Sequence, residues 1–174
     1  MKAAVFGLGS TWMGDDAAGV QAVRLFEALY DCGPEVTVAG LWTPEVDLTA
    51  CMAGHDVIIL VDAVEADATP GSIRLYGKDA LRRMPAQPRL SPHDPALKEA
   101  LRTLELLDEM PLFLLLVGIV PESPGNGEAA SAAVRAGIEE AATEVAVQLE
   151  ALGFRVRPSA VSLALQAFPN SYRA

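Results

Sequence analysis

The chain is 174 residues long, is 51% hydrophobic and carries a formal net charge of −10. This length suits one domain with a buried core and is too short for two ordinary enzyme domains, so we predict a single domain over residues 1–174. The acidic balance argues against nucleic acid and anionic membranes as partners, because both are bound through basic surfaces. No apolar run reaches the roughly 20 residues of a membrane span, so we expect a soluble protein.

The N-terminal residues predict a strand. Residues 2–8 are mostly apolar and lead into glycines, which favours a strand and a turn, leaves no room for a signal peptide and makes a cytoplasmic location the expectation. The apolar residues that follow repeat at helical spacing between residues 20 and 30. Cys32 and Cys51 stand in no paired spacing, so we predict two buried thiols rather than a metal or redox site.

Strands and helices alternate through the middle of the chain. Residues 35–41 and 57–64 are predicted strands, with a short helix at residues 48–52 between them. Residues 71–76 alternate in character after a Pro-Gly turn and predict an antiparallel edge strand. Asp94 and Pro95 suit the N-cap and the first position of a helix that extends to Leu107.

The longest apolar stretch, residues 111–121, is bounded by prolines and predicts a strand buried on both faces. A last clear helix runs through residues 134–152, with Gly153 as its stop, and residues 159–174 form a tail of uncertain structure. Apolar strands that alternate with helices predict an α/β fold. We expect a three-layer sandwich, in which a mostly parallel twisted sheet of about five strands has helices on both faces.

Two carboxylates directly precede the first predicted helix. Asp15 and Asp16 follow the glycine turn at the carboxyl end of the first strand, where open α/β sheets gather their ligands. Acidic residues also cap helices, so capping alone can explain one of the two, and the role of Asp15 stays open between capping and chemistry. The turn does not predict a nucleotide site, because Trp12 replaces the third glycine of the dinucleotide fingerprint.

Asp62 and His93 are the other candidates for chemistry. Asp62 ends an apolar strand, and a buried carboxylate needs a hydrogen-bond partner, a charge partner or a metal. His93 directly precedes a predicted helix, whose N-terminus disfavours imidazolium and keeps a nitrogen lone pair available. A structural hydrogen-bond network for Asp62 and an ordinary loop position for His93 remain open. With Asp16, the two residues offer the mixed nitrogen and oxygen ligands that suit a borderline divalent ion.

Several familiar catalytic signatures are missing from the sequence. It contains no Gly-x-Ser-x-Gly elbow, no His-Glu-x-x-His helix and no Walker lysine motif. These absences argue against a serine hydrolase of that type, a zincin and a nucleoside triphosphatase.

The order of these motifs resembles that of the hydrogenase maturation protease family. The resemblance runs through residues 6–10, 14–16, 61–63, 91–94 and 115–122. It implies an α/β sandwich and an endopeptidase that removes the C-terminal extension of a nickel-iron hydrogenase large-subunit precursor after nickel insertion. It further implies that Asp16, Asp62 and His93 bind nickel, which the substrate carries, with no tightly bound resident cofactor. The attacking group and the scissile bond are not implied.

The sequence departs from the family pattern at three places. Ser10 replaces a common Asn, Ala17 replaces a usual Gly, and residues 40–44 replace a Gly-rich stretch associated with substrate handling, so the precursor that is processed is not specified. A non-proteolytic module that binds a metal or a small molecule is one alternative function, and a hydrolase with a resident zinc ion is another. We expect a monomer.

Overall fold

A computed structural model describes residues 1–10, 14–41, 47–83, 94–122 and 129–167 of the chain. The strands are β1 (Ala3–Leu8), β2 (Tyr30–Cys32), β3 (Val36–Leu41), β4 (Val57–Ala63), β5 (Ile73–Gly77), β6 (Phe113–Ile119) and β7 (Val156–Pro158). The helices are α1 (Ala18–Leu29), α2 (Leu48–Met52), α3 (Lys78–Arg83), α4 (Asp94–Leu106), α5 (Ala132–Ala151) and α6 (Ala160–Ala167), and a short 3-10 helix, Gly14–Ala17, precedes α1.

A five-stranded sheet in the order β3-β1-β4-β6-β5 forms the middle layer. The first four strands are parallel, and β5 pairs antiparallel with β6 at one edge. The parallel strands β1 and β4 are buried along their whole length, as expected for strands covered on both faces. The predicted three-layer α/β sandwich and its antiparallel edge strand are therefore confirmed.

Each face of the sheet supports its own core, because successive side chains of a strand point to opposite faces. Val5 of β1 and Ile59 of β4 pack in the core that includes α1 and α5. Phe6 and Leu60, one residue further along the same strands, pack in the core that includes α2, α3 and α4. None of the helices in the described ranges is long and apolar enough to cross a membrane.

The structure differs from the sequence prediction mainly in short elements. Tyr30 does not continue the first helix but begins β2, which pairs antiparallel with β7 in a separate two-stranded sheet. The helix α3 was not predicted. Part of the C-terminal segment, whose structure the sequence does not specify, forms α6. The Ser159 hydroxyl directly before α6 donates a hydrogen bond to the Ala28 carbonyl oxygen at 2.6 Å, which anchors this helix to the end of α1.

Candidate functional site at the carboxyl ends of β1 and β4

The carboxyl ends of β1 and β4 meet at one edge of the sheet. Gly7 of β1 lies opposite Val61 of β4, so Asp62 emerges beside the end of β1. On its other side, Asp62 lies opposite Gly118 of β6. Asp62 is 2% exposed, which places an ionisable group inside the sheet at the point where ligands are usually bound in this fold class.

The start of α1 lies directly against these strand ends. A Cβ atom at Gly19 would overlap the backbone carbonyl oxygens of Leu8 and Val61, so only glycine permits this separation. Because Gly19 is the second residue of α1, the preceding 3-10 helix with its two acidic residues is held over the ends of β1 and β4. The sequence predicted this placement from the order of strand, turn and helix.

Gly9 and Ser10, which follow β1, contact Asp16. The half-buried Asp16 carboxylate accepts a hydrogen bond through Oδ2 from the backbone N–H of Ser10 at 3.0 Å. Gly9 adopts a φ of 135°, and a Cβ there would overlap the Asp16 carbonyl oxygen. The structure therefore brings Asp16, in the 3-10 helix that precedes α1, and Asp62, near the end of β4, to the same edge of the sheet.

Asp62 is held in place by its local backbone. Its Oδ1 accepts a hydrogen bond from the N–H of Ala63 at 2.8 Å, which fixes the side chain at the end of β4. A buried carboxylate is stabilised by hydrogen-bond donors and by positive charge, so a cation at this edge of the sheet would be stabilised in turn.

The third predicted ligand, His93, lies outside the described residues, and the chain is described again from Asp94, where α4 begins. Within the described ranges, no three His, Cys, Asp or Glu side chains form a group that could hold a metal ion. The metal-binding role of Asp16, Asp62 and His93 stays a prediction.

Asp15 has a role that the sequence did not predict. Its buried carboxylate accepts hydrogen bonds from the backbone N–H of Ser131 at 2.8 Å and from that of Glu122 at 2.9 Å. The N-cap of α1 is Ala17, with no side-chain capping bond, so the capping role considered for Asp15 does not apply to this helix. Instead the Asp15 carboxylate anchors the backbone at residues 122 and 131, and it does so directly next to Asp16 in the chain. No local pattern could show this, since the partners are more than 100 residues away in sequence.

The remaining histidine and the cysteines lie elsewhere. His55 precedes β4 at the amino end of the sheet and packs edge-on against Phe6, with ring centroids 6.2 Å apart. Cys32 and Cys51 are free and half-buried, not fully buried as predicted. Burial raises the pKa of both thiols, and the negative charge of Asp31 raises that of Cys32 further, so neither is an activated nucleophile.

Known proteins resemble the chain in sequence. A family model described as hydrogenase maturation protease matches residues 20–148, a span that contains Asp62 and His93. The hydrogenase 2 maturation protease of Escherichia coli is 29% identical over 159 residues, which are 91% of this chain and 96% of that protein. The hydrogenase expression/formation protein HupD of Rhizobium leguminosarum bv. viciae is 28% identical over 146 residues, which are 83% of this chain and 72% of that protein.

Solved structures agree with the sequence matches. The hydrogenase maturating endopeptidase HybD from Escherichia coli superposes with a TM-score of 0.84 at 29% identity, over 91% of this chain and 98% of that one. A [NiFe] hydrogenase maturation protease from Thermococcus kodakarensis superposes with a TM-score of 0.69 at 27% identity, over 86% and 99% of the two chains. The family model spans well over half of the sequence. The chain therefore belongs to the hydrogenase maturation protease family and is an endopeptidase.

Proposed function

We propose that this endopeptidase removes the C-terminal extension of a nickel-iron hydrogenase large-subunit precursor after nickel insertion. It recognises the nickel of that precursor through Asp16, Asp62 and His93. One observation carries the proposal: Asp16, directly before α1, and Asp62, near the end of β4, lie at one edge of the sheet, where Gly19 lets the start of α1 approach the strand ends. Family membership favours this function over a non-proteolytic binding module.

The donor set suits nickel that arrives on the substrate. Carboxylate and imidazole are ligands that a borderline divalent ion accepts, and the positive ion offsets part of the cost of burying the Asp62 charge. Three donors leave coordination positions open on the ion, which the precursor's own ligands fill. The enzyme would thus distinguish a nickel-loaded precursor from an empty one by contacts that only the loaded precursor offers.

The same proposal specifies the partner, the compartment and the oligomeric state. The partner is the large-subunit precursor of a nickel-iron hydrogenase, and the enzyme acts on it in the cytoplasm. We propose a monomer that binds this partner transiently, since a net charge of −10 makes two copies of the chain repel each other.

Cleavage of a purified precursor tests the proposal. We expect the wild-type enzyme to shorten the nickel-loaded large-subunit precursor and to leave the nickel-free precursor intact, with mass spectrometry of the product identifying the new C-terminus. Equal cleavage of both forms would show that nickel is not recognised. No cleavage of either would refute the proposed substrate.

Ligand variants test the residue assignment. We expect Asp62→Asn and His93→Ala to lower the cleavage rate by at least about 100-fold, since loss of an outer partner of a metal site alone costs about 10–100-fold. Asp16→Glu should retain more activity than Asp16→Ala, because it keeps a carboxylate. The matched control is Asp31→Asn, the same change at an exposed position in β2. Full processing by a folded His93→Ala variant would remove His93 from the nickel site.

A further inference from the structure

A groove of about 500 Å³ lies between α3 and α4, on the sheet face opposite α1 and α5. Its apolar lining comes from Leu81, Leu101 and Met110. Its polar lining consists of charged side chains, namely Asp79, Arg82, Arg83, Lys98, Arg102 and Glu105. We call this feature the α3–α4 groove.

The α3–α4 groove has the opposite charge to the chain as a whole. Its lining holds four basic and two acidic side chains, hence a formal charge of +2, whereas the chain carries −10. Four of the 13 Lys and Arg residues of the sequence therefore line one groove. A positive concavity on a negative protein is the place where an anionic partner is attracted rather than repelled.

Both acidic side chains of the groove are already engaged. Glu105 of α4 forms an ion pair and a hydrogen bond with Arg82 of α3, which joins the two walls. Asp79 lies 3.8 Å from Arg83, one turn along α3. Arg102 takes part in none of the ion pairs found between described residues, so its charge is available to a partner.

The basic residues of α4 that line the groove lie in the first three turns of that helix. Lys98 and Arg102 are four residues apart and so lie on one face of the helix. They follow Asp94, the first residue of α4, by about 6 and 12 Å along the helix axis at 1.5 Å per residue. His93 directly precedes α4 in sequence, so a partner bound along α4 would extend toward the segment of the chain that carries His93.

We infer that the α3–α4 groove docks an acidic segment of the hydrogenase precursor, at a distance from the bond that is cut. The inference rests on the proposed function, because it takes the precursor as the partner. A carboxylate of that segment pairs with Arg102, while its apolar atoms contact the half-buried Met110. Such charge complementarity orients the precursor and accelerates its encounter with an enzyme that would otherwise repel an acidic chain.

Charge reversal in the groove tests the inference. The groove variant is Arg83→Glu with Arg102→Glu, two exposed positions, and the matched control is Arg24→Glu with Arg155→Glu, two exposed arginines in α1 and before β7. Both variants change the net charge equally. We expect the Kd for the nickel-loaded precursor to rise about tenfold or more in the groove variant and less than about threefold in the control, with cleavage at saturating precursor unchanged.

Salt dependence provides a second measurement. Binding by the wild type should weaken as ionic strength rises, and binding by the groove variant should respond much less. An unchanged Kd in the groove variant, or an equal rise of the Kd in both variants, would refute the docking role of the α3–α4 groove. If the wild type binds the precursor but does not cut it, the proposed cleavage is refuted. The Kd values then still show whether the α3–α4 groove binds the precursor.

Discussion

Asp15 and Asp16 are neighbours in the chain, but their carboxylates serve different parts of the molecule. The Asp16 carboxylate accepts a hydrogen bond from the backbone N–H of Ser10 and is half-buried at the edge of the sheet. The Asp15 carboxylate is 3% exposed and bonds across the fold to Glu122 and Ser131. Ser131 in turn caps α5 by accepting a hydrogen bond from Val134 N at 3.2 Å. Asp15 thus connects the start of α5 to the edge of the sheet that carries the candidate site.

We expect Asp15→Asn to destabilise the fold by about 3 kcal/mol. An amide keeps one acceptor oxygen but turns its NH₂ group toward the second backbone N–H, which leaves buried donors unpaired. A residue that only capped a helix would cost about 1 kcal/mol. Urea unfolding measures the difference, and Asp67→Asn, the same change at an exposed position after β4, is the control. Equal unfolding midpoints for the two variants would contradict the role assigned to Asp15.

At the scale of elements, burial decided what the sequence could predict. The strands β1, β4 and β6 were predictable because nearly every residue in them is apolar and buried. The helix α3 was not, since Leu81 is its one buried residue and gives no periodicity. The strand β7 has three residues, and it pairs with β2 from the opposite end of the sequence, a contact that no local pattern encodes.

The candidate site was partly predictable for a related reason. Parallel strands place their carboxyl ends at one edge of the sheet, so Asp16 and Asp62 could be assigned to it from chain order alone. The partners of Asp15 could not be predicted, because they depend on tertiary packing. His93 lies outside the described residues, so its place in the site stays a prediction.

The close packing of α1 on the sheet predicts a strong effect for one added methyl group. In Gly19→Ala the new Cβ would meet two backbone oxygens, those of Leu8 and Val61, and neither can move without displacing a central strand. We expect a loss of stability of about 3 kcal/mol, within the range that overpacking and strain produce, together with slower processing. Gly77→Ala, the control, meets no atom within 4 Å and should stay within about 0.5 kcal/mol. Equal melting temperatures for the two variants would refute this account of the packing.

At the scale of the whole molecule, charge is distributed unevenly. The net charge of −10 is the balance between a predominantly acidic chain and a positive α3–α4 groove. An acidic surface attracts cations in general, so weakly held metal on the purified protein would say little about function. The informative quantity is metal that survives dialysis and depends on the proposed ligands.

We predict that protein purified without added metal holds far less than one equivalent of nickel or zinc per chain. Structural metal sites usually use four protein ligands, whereas Asp16, Asp62 and His93 supply three, and the substrate is proposed to bring the ion. Elemental analysis by mass spectrometry after dialysis measures the content. Asp62→Asn should match the wild type, because residual metal bound by general surface charge does not depend on that side chain. One equivalent of zinc that is lost in Asp62→Asn, and whose removal by a chelator stops cleavage, would favour the hydrolase with a resident zinc ion instead.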